Sequence, residues 1–255
     1  MLLVVKPLVD LLVVTILWIY FIFGFAVFFL PLYLFSYAFS RHRELSFQKL
    51  NHRFFRVFLF LCRILTPGLM VHIPDEIRQI RSSIIISNHV SYLDPLFLMS
   101  LFKKHKTIVK NRFFNVPLFG WVIKQAGYLP SSVQGQGKHL MIKHILEMKD
   151  YLATGGNLFV FPEGTRSRDG RIGSFEKGVF GIAKRCQAPI RLLYISNTEK
   201  LFQPGKFFFN TCVPINIRIE HFDTIETDNR NDSFDELALM NRIRALYEHK
   251  NQHPN

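Results

Sequence analysis

Cysteine and acidic residues are the scarce features of this 255-residue chain. There are three cysteines, Cys62, Cys186 and Cys212, far apart and without a CxxC pair. So small and odd a set argues against a disulfide framework and for a reducing compartment. Nineteen acids face 32 lysines and arginines, a formal charge of +13. That surplus points to an anionic partner: nucleic acid, an anionic membrane or a phosphorylated substrate. There is no GxSxG elbow, so a hydrolase-type serine nucleophile is not indicated. The ten histidines are scattered, with no HExxH, and no metal is expected. No nucleic-acid-binding motif is present, and nucleic acid is not expected as a partner. Internal repeats and low-complexity tracts are absent as well.

What is abundant is apolar. Nearly half of the residues are hydrophobic and 27 are phenylalanine. From Leu11 to Ser40 no residue is charged. Those 30 positions exceed the ~20 that cross a bilayer core, and no small-residue cleavage site follows, as a secretory signal peptide would need. Pro31 is expected to break or kink the helix. One spanning helix and a shallow re-entrant pair both fit. In the next segment Lys49, Arg53, Arg56 and Arg63 share one helical face, and Phe54, Phe58, Leu61 and Leu65 another. After a membrane segment, this pattern predicts a basic amphipathic helix in the headgroup region of anionic lipid. A core helix with a solvated basic face is the alternative. The positive charges put the downstream domain on the cytosolic side of the membrane.

The remainder predicts an α/β domain with a mostly parallel sheet flanked by helices: membrane and interfacial helices over 1–65, the α/β domain over 66–255. Strands are expected at 82–87, 107–110, 157–161 and 190–195. Helices are expected from Pro95, across Met141–Leu152 up to Gly155 and Gly156, and over 174–186. A final helix opens on Ser233 and Glu236 as a capping box. The stretch 222–232 reads as a loop.

Two clusters follow strand ends, where open α/β sheets bind ligands. In "SNHVSYLDP" (87–95), Asp94 before Pro95 suits a plain helix N-cap. A cap leaves His89 unexplained. A carboxylate at a helix start can also turn back to one imidazole nitrogen and leave the other as a base. Ser91 is a local hydrogen-bonding group, and no protein nucleophile is placed beside the pair. The base therefore serves a substrate hydroxyl, whose acceptor carbonyl must already be activated, as in a thioester. In "FPEGTRS" (161–167), Arg166 and the turn backbone suit a phosphate. A tight turn with a surface arginine is the bland reading of that segment alone.

"NHVSYLD" and "FPEGTRS", in this order, resemble blocks of the glycerolipid and lysophospholipid acyltransferases, the 1-acylglycerol-3-phosphate acyltransferase superfamily. Between them "KNRFFNVPLFGWVIKQAGY" (110–128) is similar to a further block, and "SFEKGVFGIAKRCQAPI" (174–190) to the last. The likeness covers about residues 80–200. It implies that His89 deprotonates the acceptor hydroxyl and Asp94 orients His89. Glu163, Gly164, Thr165 and Arg166 would bind the acceptor's phosphate, with Lys110 and Arg112 nearby. It implies no cofactor, acyl-CoA or acyl-carrier protein as co-substrate, and a lysophospholipid acceptor. Two departures bear on the acceptor. The acid–arginine pair expected after Gly127 is replaced by "YLPSSVQG", and the last block has Pro189 without a second proline. Lys110, Arg112 or Lys138 would make up part of the charge, and a lyso-ornithine lipid or a larger-headed lysophospholipid is the alternative acceptor. A scaffold binding anionic membrane explains the first 65 residues and the charge, but not the two blocks.

Overall fold

The structure is a computed structural model describing residues 2–131, 147–167, 170–227 and 235–253. The chain opens with one continuous helical rod: α1 (Leu2–Ile19), a π-helical segment (Tyr20–Phe29) and α2 (Leu30–Phe39). Pro31 does not break it. It falls where π-type bonding returns to α, in the first turn of α2, and Phe29 and Leu30 keep helical dihedrals. A proline lacks the N–H that a helix interior would use, so a change of hydrogen-bond register is where it is tolerated. The chain turns at Ser40–His42 and returns as α3 (Arg43–Leu65).

A seven-stranded sheet follows. Its strands are β1 (Leu69–His72), β2 (Ser83–Ser87), β3 (His105–Val109), β4 (Leu129–Pro130), β5 (Asn157–Val160), β6 (Ile190–Ser196) and β7 (Ile215–Ile225). Their order is β1-β7-β6-β2-β5-β3-β4. The five strands from β6 to β4 run parallel; β7 is antiparallel to β6, with β1 parallel to it. The expected mostly parallel α/β sheet is therefore present. Its central strands carry unbroken apolar runs because both faces are covered. Ile85, Phe159, Leu193 and Ile195 face one apolar layer, and Ile84, Ile86, Leu158, Val160, Ile190 and Leu192 the other.

The first layer is closed by α3, by α5 (Leu93–Leu101) and by α6 (Phe119–Gln125), with the N-terminal rod behind α3. The second is closed by α7 (Gly178–Cys186), the helical stretch 147–153 and α9 (Glu236–Gln252). A short α4 (Asp75–Gln79) precedes β2 and a short α8 (Thr198–Leu201) follows β6.

Several local expectations change. α3 does not lay its apolar face on lipid: Phe54 and Phe58 are buried against Tyr20, Phe21, Phe25 and Phe29 of the rod. Its basic face, Lys49, Arg53, Arg56 and Arg63, is exposed, while the apolar face is packed on protein. Residues 222–225 are not loop but the end of β7. The final helix is capped by Asp235, which accepts the Leu237 N–H at 2.9 Å; Ser233 lies outside the described residues, as do Met141 and Ile145 of the expected central helix. α7 begins at Gly178, four residues later than expected.

A buried polar chain joins rod to sheet. Tyr33 donates to Asn51 Oδ1 (2.5 Å), Asn51 Nδ2 to Tyr128 Oη (2.8 Å), and Tyr128 Oη lies 2.6 Å from His105 Nε2, whose Nδ1 is 2.7 Å from the Phe102 carbonyl. These contacts set the tautomer: Nδ1–H donates to the carbonyl and Nε2 accepts from the tyrosine. Nearby, Lys106 is buried in an ion pair with Glu44 (3.0 Å). Gly127, at φ +71°, lies so close to Glu44 that any Cβ would overlap the carboxylate.

Burial holds His105 down to about 3 and His52 down to about 4. The unfolded chain protonates them near 6.5. The folded values are depressed, so the unfolded state binds the extra protons below that pH. Stability is thus intact above pH 6.5 and is lost as pH falls toward about 4. Each ring contributes up to about 1.4 kcal/mol per pH unit. Thermal unfolding in detergent should show the melting temperature falling between pH 6.5 and 5.5, where few carboxylates titrate. Replacing His52 by Gln should flatten that slope; an unchanged slope would refute the assignment.

Candidate active site

The site lies along the edge where the five parallel strands end. Asn88, just past β2, bonds both polar groups of Ile195 on β6 (2.7 and 2.8 Å), fixing where the chain leaves the sheet. His89 follows, and its imidazole stacks on Phe161 at the end of β5, centroids 4.3 Å apart.

Asp94 lies in the first turn of α5 but does not cap it. The helix starts one residue earlier, at Leu93. Its carboxylate turns back and accepts from His89 Nδ1 (2.9 Å), Val90 N–H (2.7 Å) and Ser91 N–H (2.8 Å) through Oδ2, and from Thr198 Oγ1 (2.5 Å) through Oδ1. Asp94 is fully buried, whereas the His89 side chain is 16 % exposed. The pair therefore presents Nε2 outward with Nδ1 held as the donor. Ser91 is buried; it donates to the Phe202 carbonyl and accepts from Leu93 N–H, the local role expected of it.

The second cluster folds against the first. Ser167 N–H donates to the His89 carbonyl (2.8 Å), and the His89 N–H donates to Glu163 Oε1 (3.0 Å). Glu163 Oε2 accepts from Gly173 N–H (3.0 Å). Glu163 is buried, with both oxygens engaged by backbone; it joins the two loops and is not turned to receive a phosphate. Burial pushes its carboxyl above the ordinary value, and the two N–H bonds pull it back. Gly164 takes φ +62°, the left-handed turn that glycine tolerates. Gly164 and Thr165 are exposed.

Arg166 lies with its guanidinium carbon 3.2 Å from the centroid of the Tyr92 ring. Its Nη1 is buried and has no hydrogen-bond partner among the described residues. Lys110 is exposed just after β3, and Arg112 is exposed in the 3-10 turn Asn111–Asn115, over Phe113. Both share the site's edge, but β5 separates β3 from β2, roughly 10 Å across. Lys138 lies outside the described residues. His249 and His253 stand four apart on α9, but no group of three or more His, Cys, Asp or Glu among the described residues is arranged for a metal ion.

The sequence reading missed Thr198, Asn88 and Phe161. Thr198 had one signal, a hydroxyl just past a strand end in the same sheet; its partner lies 104 residues away.

The family model Acyltransferase matches residues 68–196, half of the chain, and includes every site residue named except Thr198. The chain belongs to the acyltransferase family. It is 36 % identical over 124 residues to the chloroplastic 1-acyl-sn-glycerol-3-phosphate acyltransferase of Arabidopsis thaliana, covering 48 % of this chain and 34 % of that one. It is 29 % identical over 201 residues to a putative 1-acyl-sn-glycerol-3-phosphate acyltransferase of Caenorhabditis elegans, covering 77 % and 69 %. The match spans about a third of the length of the chloroplastic relatives from Arabidopsis thaliana and Brassica napus. In fold it is similar to the 1-acyl-sn-glycerophosphate acyltransferase of Thermotoga maritima, with a TM-score of 0.67, 22 % identity, and 99 % and 97 % of the two chains covered.

Thr198→Val removes one donor from a buried carboxylate and should destabilise the protein by about 1.5–3 kcal/mol. Thr198→Ser keeps the hydroxyl and should stay close to the parent. Denaturant unfolding of the three proteins checks this; equal stabilities would show that Thr198 does not support Asp94.

Proposed function

We propose that this chain transfers a fatty acyl group from acyl-CoA or acyl-carrier protein to the free hydroxyl of a lysophospholipid, with 1-acylglycerol-3-phosphate as acceptor and phosphatidic acid as product. The observation that carries this reading is a histidine fixed by a sealed aspartate, with an arginine one loop away whose buried Nη1 has no hydrogen-bond partner among the described residues. The names of the relatives support the same acceptor.

In this reaction His89 Nε2 takes the hydroxyl proton as the acceptor oxygen bonds to the thioester carbonyl. The tetrahedral intermediate collapses and the C–S bond breaks. The proton on Nε2 passes to the departing sulfur, so the enzyme ends unchanged. Asp94 steadies the imidazolium formed midway. Ser91 is buried and already bonded, which supports direct transfer without an acyl-enzyme. Arg166 receives the acceptor's phosphate. A larger-headed lysophospholipid or a lyso-ornithine lipid is the second reading, favoured by the missing acid–arginine pair after Gly127.

We also propose that the domain works at an anionic membrane surface, on its cytosolic face, with the N-terminal rod lying along that surface. Val5–Phe39 is long and apolar enough to cross a membrane. Yet the domain touches the rod from Asp10, which accepts from Thr211 N–H and Oγ1, to Tyr37, which packs on Trp121. The 27 helical steps between them extend about 40 Å. A bilayer's hydrocarbon is about 30 Å thick, so crossing it would drag the α/β domain into hydrocarbon. An in-plane rod instead turns Leu8, Leu12, Phe23, Phe28, Phe35 and Phe39 to lipid, and all six are exposed.

With labelled acyl donor and a panel of lysolipids in vesicles, His89→Ala should lose 10²–10⁴-fold in turnover or more. Arg166→Ala should raise the acceptor's KM about tenfold to a hundredfold while sparing the donor's. Near-parental turnover in folded His89→Ala would end the reading. For the rod, Lys6→Cys and Arg41→Cys should both react with an impermeant maleimide added to one and the same side of sealed vesicles; reaction from opposite sides would mean a crossing.

A further inference from the structure

The phosphate reading gives Arg166 a ligand but does not say what holds its side chain ready. Neither buried carboxylate of the site is left to do so. All four donors around Asp94 converge on its two oxygens, and Glu163 spends both of its own on backbone N–H groups. Among the described residues the guanidinium makes no ion pair, and Nη1 has no hydrogen bond. One support is visible: the face of Tyr92, on which the guanidinium lies with its carbon 3.2 Å from the ring centroid. Tyr92 belongs to the His89–Asp94 loop itself, and is steadied from another direction by Phe202, whose ring is 6.0 Å away. Phe202 is tied to the same loop, since its carbonyl accepts from Ser91 Oγ.

We propose that Tyr92 is a positioning residue for the acceptor's phosphate, acting through Arg166. A guanidinium stacked on an aromatic face keeps its N–H groups in a plane parallel to the ring, and so keeps its donor edges available to an anion. A carboxylate partner would fix the side chain too, but would occupy those donors and cancel the charge. The ring fixes it and does neither. Because Tyr92 is three residues from His89, the stack also sets the anion site at a defined distance from the base, so a bound phosphate places its glycerol hydroxyl for deprotonation. The arrangement selects arginine over lysine at position 166, since an ammonium has no plane to stack.

This rests on the proposed phosphate role of Arg166, and the test separates the two. Full-length His89→Ala protein in uncharged detergent is titrated calorimetrically with lysophosphatidic acid, and with monoacylglycerol as the phosphate-free control. Arg166→Ala should lose most of the preference for the phosphate. Tyr92→Leu should lose about three- to tenfold, and Tyr92→Phe should bind within about twofold of the parent, because the ring face does the holding. In the Arg166→Ala background, Tyr92→Leu should cost nothing more, since its effect passes through the guanidinium. Parental binding in Tyr92→Leu, or a full repeat of its loss without Arg166, would overturn the role of Tyr92 and leave the phosphate site standing. An unchanged phosphate preference in Arg166→Ala would overturn both. Tyr92 is 47 % exposed, so Tyr92→Leu folds; its melting temperature beside that of Tyr92→Phe verifies this.

Discussion

Asp94 is a carboxylate with no access to water, and the rest of the site is arranged around that fact. Removing such a charge from solvent costs several kcal/mol unless donors replace the lost hydration. Four do, and they come from different parts of the fold: the imidazole and two amides of the loop after β2, and a hydroxyl from the start of α8, after β6. The arrangement forms only when neighbouring strands end in register. Asn88 secures this by bonding both polar groups of Ile195, as an additional strand residue would. The His89–Asp94 geometry is thus a by-product of satisfying one buried charge, and His89 gains a fixed tautomer and orientation from the same contacts.

A second carboxylate has the complementary task. Glu163 closes the 161–167 turn onto the His89 backbone from one side and onto Gly173 from the other. With both acids saturated by donors, neither is paired with a cation along the edge. Arg166 rests on an aromatic ring, and Lys110 and Arg112 stand further along the same edge. Uncommitted positive charge beside a buried, fully engaged pair of acids suits an anionic substrate better than an internal salt bridge would, because a salt bridge would have to be broken before the substrate could bind.

Much of this was legible in sequence because it is local. The buried central strands read as unbroken apolar runs, and a His and an Asp five apart after a strand already suggested an oriented base. What escaped was either non-local or ambiguous in pattern. Thr198 and Asn88 act on partners more than a hundred residues away. Glu163 looked like part of an anion site because it shares a turn with Arg166, and its burial is set by contacts the turn does not encode. β7 was legible in principle: in "INIRIE", Ile215, Ile217 and Ile219 are buried and the residues between are half-buried, the alternation of a strand with one covered face. Its polar second half, "EHFDT", resembles a loop. In α3 the period was right and the destination wrong. An apolar helical face states that it will be covered, and here the cover is the phenylalanine-rich rod, not lipid.

That substitution of protein for lipid joins the rod to the His89–Asp94 edge. The rod contributes Val13, Val14, Leu17 and Tyr33 to the same apolar layer that receives Ile85 from β2 and Leu98 from α5, the elements flanking His89 and Asp94. Its one buried acid is bonded to Thr211, and its buried tyrosine to Asn51. Polar anchors of this kind fix a helix in rotation as well as position, which apolar packing alone does poorly. The exposed apolar side of the rod is consequently held in a set relation to His89. In the proposed reaction, a lysolipid whose chain stays among the acyl tails would reach the sheet edge with its head at a height decided by the protein. Its chain need not leave the apolar phase, and at about 0.8 kcal/mol per CH₂ that would be the largest cost of presenting such a substrate to a site in water.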